Sequence, residues 1–153
     1  MKRLLVVYHA PSPNVQTLVD AVLAGCRDPE AGSVDVIARP ALEAGPQHLL
    51  ACDGVIFGTT ENFGYMSGAL KDFFDRSYYP CLGKVEGLPY ALFVKAGNDG
   101  TGTITAVQRI VAGLKLRAIA EPQLMAGAMQ DEWLTDCRDL GFTVAAGLDA
   151  GIF

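Results

Sequence analysis

Leu4-Leu5-Val6-Val7-Tyr8 runs straight into His9-Ala10-Pro11-Ser12-Pro13-Asn14-Val15-Gln16-Thr17, and this passage sets the architecture of the chain. The first five residues are apolar without alternation and rich in β-branched and aromatic side chains. That is the pattern of a strand buried on both faces, inside a parallel sheet covered by helices. Ser12 then offers a helix N-cap and Pro13 suits the first helical position, so a helix opens abruptly after the loop. Val15, Leu18, Val19, Val22 and Leu23 follow at helical spacing and form one apolar stripe.

The same change of period recurs outward from this passage. Val55-Ile56-Phe57 and Tyr90-Ala91-Leu92-Phe93-Val94 read as further buried strands. Ser33 to Ala38, where Val34, Val36 and Ala38 alternate with polar neighbours, reads as a strand near an edge. Leu116 to Leu124 is a fifth strand, interrupted by Pro122 and therefore ending early or at an edge. Helical spacing returns in Leu70, Phe73, Phe74 and Ser77 after the N-cap Ser67, and in Val107, Ile110, Val111 and Leu114 after Thr103. A short helix begins at Pro46, and a last one runs from Asp131 as N-cap to about Ala146, with Gly141 on a tightly packed side. Alternating strands and helices with short connections predict one α/β domain over residues 1–153. Its form is a three-layer α/β/α sandwich around a five-stranded parallel sheet.

Composition narrows the function. Twelve basic and 17 acidic residues leave a charge of −5 with both histidines neutral, and half the residues are hydrophobic. That excludes a disordered chain, and the absence of a basic cluster argues against nucleic acid as a partner. No apolar run approaches the 18–20 residues or so of a membrane span. The opening residues lack a cleavable leader, so the expected location is cytoplasmic, with Cys26, Cys52, Cys81 and Cys137 as reduced thiols. No Cys/His spacing suits a metal.

Ligands of such sheets bind beyond the carboxyl ends of the strands. Three loops lie there. The first, His9 to Thr17, joins a helix N-terminus to hydroxyl and amide side chains, a combination suited to an anion. The second, Gly58 to Gly68, mixes glycines with Phe63 and Tyr65, giving backbone freedom and aromatic surface for a planar ligand. The third, Lys95 to Thr103, is small and without an aromatic ring. There is no G-x-x-x-x-G-K-[ST] and no G-x-G-x-x-G after the first strand, so the usual nucleotide fingerprints are missing. Cys81 is followed by no arginine cradle, and the strand ends lack the aspartates of a receiver domain.

Asp53-Gly54-Val55-Ile56-Phe57-Gly58-Thr59, followed by Asn62-Phe63-Gly64-Tyr65-Met66-Ser67-Gly68, resembles the G-T-P-T-x-F-G-x-M-S-G signature of flavodoxin-like quinone reductases. These are the NAD(P)H:quinone oxidoreductases of the tryptophan-repressor-binding-protein type and the related NADPH-dependent FMN reductases. Leu4 to Thr17 also follows that family's strand, phosphate loop and helix. The resemblance implies the strand order 2-1-3-4-5 and a non-covalent FMN. Its phosphate would sit on the N–H groups of Ser12 to Thr17 (Ser12, Asn14, Val15, Gln16 and Thr17 as contacts). Its ring would lie between Thr59, Thr60, Glu61, Asn62, Phe63, Gly64 and Tyr65 on one side and Ala96, Gly97 and Asn98 on the other. Ala10, Pro13 and Val15 depart from the family's phosphate loop, where hydroxyl, glycine and threonine are usual. The reductase relatives also carry an inserted tetramer-building segment for which Val94 to Leu124 leaves no room.

The expected activity is transfer of a hydride from NADH or NADPH through flavin N5 to a quinone-like acceptor, with no catalytic acid or base required. An electron-carrying flavodoxin, or a flavodoxin-fold module with weakened or lost FMN binding, are the alternatives. A homodimer is expected from the resemblance alone.

Overall fold

β1 (Lys2–Tyr8) is an inner strand of a parallel sheet, and its alternate side chains feed two separate cores. Leu5 and Val7 join Val55, Phe57, Leu92 and Val94 on one face, while Leu4 and Val6 join Ile56, Ala91 and Phe93 on the other. Burial on both sides is what the unbroken apolar run required. A computed structural model describes all 153 residues. In it, β1 lies between β2 (Val34–Pro40) and β3 (Gly54–Asn62), and β5 (Pro89–Ala96) lies beyond β3. A two-residue strand, β4 (Tyr65–Met66), pairs antiparallel with the end of β3.

The far edge departs from expectation. The fifth strand is split into β6 (Arg117–Ala118) and β7 (Gln123–Ala126), both parallel to β5. Ile119-Ala120-Glu121-Pro122 separates them, and proline has no N–H to give the ladder. Pairing then resumes at Gln123 and runs to Ala126, two residues past the expected end at Leu124. Counted as one interrupted strand, β6 and β7 complete the order 2-1-3-4-5.

Helices cover both faces. α1 (Pro13–Cys26) and α5 (Glu132–Asp149) lie on one side. α2 (Pro46–Ala51), α3 (Gly68–Cys81) and α4 (Thr101–Gly113) lie on the other. Ser12 and Ser67 cap α1 and α3 as expected, each accepting from the backbone N–H three residues on. Thr103 is not the cap of α4. The cap is Gly100, three residues earlier, whose φ of 77° is left-handed, and the Thr103 hydroxyl is used elsewhere. α5 also continues to Asp149, because Leu148 remains buried in the core.

α1 and α5 cross in close contact, and this crossing fixes the helix that opens at the first loop. A Cβ at Gly141 would collide with the carbonyl oxygen of Val22, and one at Gly25 with that of Arg138. Overpacking costs typically about 1–3 kcal/mol, more than the roughly 1 kcal/mol by which alanine exceeds glycine as a helix former. Gly141→Ala is therefore expected to lower the unfolding free energy in urea by about 1–2 kcal/mol. An unchanged midpoint would contradict the close crossing.

Candidate functional site

The segment after Phe57, read from sequence as a loop, is largely a β-hairpin. β3 extends to Asn62, turns through Phe63-Gly64 and returns as β4, with Glu61 opposite Met66 and Asn62 opposite Tyr65. Both turn residues are left-handed, Phe63 at φ 54° and Gly64 at φ 75°, as a two-residue type I′ hairpin demands. Asparagine or glycine normally occupies the first of these places, so phenylalanine there carries no hairpin signal. A bulky side chain held there costs about 1–2 kcal/mol. Phe63 is nevertheless fully exposed and contributes nothing to either core.

The hairpin is pinned from both ends. Thr59, completely buried, accepts from the Ser67 N–H at 3.0 Å and donates to the Thr60 carbonyl. Thr60 is also buried, and its hydroxyl meets Asn62 Oδ1 at 2.9 Å. These two threonines, expected at the ligand, are committed to holding the turn. Across the crevice, the Glu61 carboxylate accepts from the Gly100 N–H at 2.6 Å, and the Thr103 hydroxyl donates to the Tyr65 carbonyl at 2.8 Å. Gly102 has no side chain because the Gly64 carbonyl rests against it. The Glu61, Gly102 and Thr103 contacts were not foreseen. Glycine and a small hydroxyl at the start of α4 were the only sequence signal for them.

The loops beyond the strand ends offer unpaired donors. The N–H groups of Phe63 and Gly64 on the hairpin, and of Gly97, Asn98 and Asp99 on the third loop, have no partner in the chain. Gly97, Asn98 and Asp99 are exposed, whereas Ala96 is buried. Asp99 turns back to the N–H and hydroxyl of Thr101.

The first loop is less generous than expected. His9 ties its start to β3, its N–H donating to the Gly58 carbonyl at 3.0 Å. Beyond it, Pro11 and Pro13 carry no N–H at all. The Val15 N–H points at the Ser12 hydroxyl at 3.4 Å, and the Gln16 N–H bonds the Ser12 carbonyl at 3.0 Å. Only Ala10, Ser12 and Asn14 keep a free backbone donor there. The expected row of N–H groups from Ser12 to Thr17 is thus reduced to those of Ser12 and Asn14. Val15 is buried, the Gln16 amide bonds Asp20, and the Thr17 hydroxyl bonds the Pro13 carbonyl.

Other polar residues are structural. Lys95 Nζ bonds the carbonyls of Ala96 and Gly127 at 3.0 and 2.8 Å and stands 5.5 Å over the ring of the buried Trp133. His48 accepts from the Gly45 N–H in its own short helix. All four cysteines are free thiols, and burial pushes those of Cys26, Cys52 and Cys137 up to about 12, so they are protonated at neutral pH. Two adjoining hollows of about 220 and 280 Å³ lie in the groove between α3 and α4 around Lys71 and Ile110, the larger one reaching Tyr65 and Gly102 at the back of the hairpin. No helix is long and apolar enough to cross a membrane.

Sheet order and helix layers together define a flavodoxin-like protein. Solved structures agree: an archaeal flavodoxin superposes with a TM-score of 0.79 at 19% identity, covering 94% of this chain and 96% of its own. A WrbA-like flavodoxin from Agrobacterium tumefaciens does so with a TM-score of 0.74 at 18% identity, covering 99% of each chain. Within that class, residues 14–131 match the NADPH-dependent FMN reductase family, and the chain belongs to it. It is 34% identical over 95 residues to an NAD(P)H dehydrogenase (quinone) of Acidithiobacillus ferrooxidans, a match covering 50% of this chain and 48% of that protein. It is 28% identical over 114 residues to a flavodoxin of Aquifex aeolicus, covering 74% of this chain and 60% of that one. The matched stretch thus spans about half the length of these relatives.

The geometry of the tether is testable. Glu61→Ala leaves the buried Gly100 N–H without its charged acceptor, at an expected cost of about 1–3 kcal/mol. Amide exchange of Gly100 and of the hairpin should accelerate while that of β1 stays slow. Unchanged exchange at Gly100 would show that the carboxylate does not hold the two elements together.

Proposed function

We propose that this chain holds FMN across the carboxyl ends of β1, β3 and β5 and uses it to pass electrons from NADH or NADPH to a small quinone-like acceptor. The observation that carries the reading is the pinned hairpin, which keeps Phe63 both strained and fully exposed. Strain in an exposed aromatic does nothing for folding, and such outliers gather at ligand sites. Family membership and the quinone dehydrogenase relative support the same reading.

The residues present suit the ring end of a flavin. Neighbouring N–H groups at Phe63 and Gly64 are free to donate to the carbonyl and nitrogen edge of the ring. Phe63 or Tyr65 supplies the flanking aromatic surface, and Glu61, Asn62, Thr59 and Thr60 hold that surface in place. Gly97 and Asn98 form the opposite wall, with Ala96 buried behind them. With no aromatic there to close it, that side leaves room for a nicotinamide and a quinone to bind by turns. Ser12 and Asn14 face the phosphate end, with Val15, Gln16 and Thr17 as the helix turn behind them.

When bound, FMN supplies two-electron chemistry between nicotinamide and acceptor. Overall, one hydride from NAD(P)H and one proton from water convert a quinone to its hydroquinone and release NAD(P)⁺. The chain's contribution is orientation and exclusion of water from one ring face, and no side chain of the crevice is assigned a proton-transfer role.

A carrier function is the second reading, favoured by the flavodoxin relative matched over 74% of this chain. The net charge of −5 would steer such a carrier to basic partners. Steady-state assays of the FMN-loaded protein with NADH or NADPH and benzoquinone separate the two. Turnover well above that of free FMN supports the reductase. Turnover equal to free FMN, with two well-separated one-electron steps in a redox titration, supports the carrier.

Phe63→Gly tests the hairpin's role. Glycine relieves the left-handed strain, so thermal stability should hold or rise slightly. Flavin affinity should fall about tenfold, the equivalent of roughly 1.4 kcal/mol of lost stacking. Equal affinity with and without the ring would remove Phe63 from the site.

A further inference from the structure

We infer that the crevice selects a flavin by its ring and not by its phosphate, so that riboflavin is accepted on nearly the same terms as FMN. This rests on the flavin reading above and adds to it a specificity set by residues 10–15.

A phosphate dianion at a helix N-terminus is held by backbone N–H groups, hydroxyls and cations. Each of the three is depleted here. Two of the six backbone nitrogens from Ala10 to Val15 belong to proline, and that of Val15 is directed at the Ser12 hydroxyl. That hydroxyl accepts as the helix cap and keeps one hydrogen to donate, and Ala10 and Val15 have none. No lysine or arginine occurs between His9 and Cys26, where the one charged side chain is Asp20. On the neighbouring strand end, Arg39 directs its guanidinium to the Ala38 carbonyl at 2.9 Å.

The ring end shows the opposite pattern. Phe63, Gly64, Gly97 and Asn98 keep free N–H groups, and the hairpin that bears two of them is fixed by Glu61, Gly102 and Thr103. Charge-assisted donors contribute about tenfold to a hundredfold each in affinity. Removing several from one end of a ligand and none from the other leaves that end with little discriminating power. The same prolines that start α1 cleanly therefore thin the loop's backbone donors to those of Ala10, Ser12 and Asn14 and weaken its anion selectivity.

The test is a pair of flavin-fluorescence titrations at pH 8, one with FMN and one with riboflavin, on the full-length protein. Dissociation constants within about tenfold of one another are expected. A preference for FMN larger than tenfold overturns this inference while leaving the flavin reading intact. Quenching of neither flavin overturns both. In the double variant Ala10→Ser, Pro13→Gly, one hydroxyl and one N–H return to the loop. FMN affinity should then rise at least tenfold with riboflavin affinity unchanged. An equal change for both flavins, or none, counts against the inference. The comparison on the unaltered protein stands even where that variant folds poorly.

Discussion

The hydrogen bond from the Gly100 N–H to the Glu61 carboxylate joins the ends of two strands that the sheet alone would leave apart. Parallel pairing aligns Thr59 with Val94 and Thr60 with Lys95, but it stops there. Beyond those residues each chain must find its own support. Glu61 gives the hairpin a charged contact with the start of α4, and Thr103 adds a second bond to Tyr65. With Gly102 allowing the Gly64 carbonyl to approach, the hairpin and the third loop become one rigid lip. The exposure of Phe63 is a consequence of that lip, since the turn cannot relax without breaking these contacts.

The two ends of the crevice differ in kind. At the hairpin, backbone donors are free because the turn geometry uses left-handed residues and leaves their N–H groups outward. At the first loop, proline serves helix initiation at the expense of the donors an anion would use. Pro13 suits the first helical position, where an N–H would be unpaired in any case. A good helix start and a good phosphate site therefore make opposite demands on residue 13, and this chain satisfies the first.

Much of the architecture was legible from local pattern. The unbroken run Leu4–Tyr8 and the helical stripe from Val15 stated their layers directly, because burial on two faces and burial on one leave different periods. Ser12 and Ser67 were readable as caps for the same reason, since the residue type carries the geometry. The hairpin was not readable. Phe63 at a left-handed position violates the residue preference by which such turns are recognised, and the bonds of Thr59, Glu61 and Tyr65 compensate. Thr103 misled similarly, looking like a cap while its hydroxyl was bound to another element. The candidate site is a reading of its loops, and the division between residues free to face a ligand and residues that brace the hairpin is visible only in the fold.

Amide chemical shifts of the ¹⁵N-labelled protein, recorded during titration with FMN, address the central claim most directly. The largest changes are predicted at Phe63, Gly64, Gly97 and Asn98, on the lip formed by the hairpin and the third loop. Changes centred instead on Lys71 and Ile110, in the groove between α3 and α4, with the lip unmoved, would contradict the account.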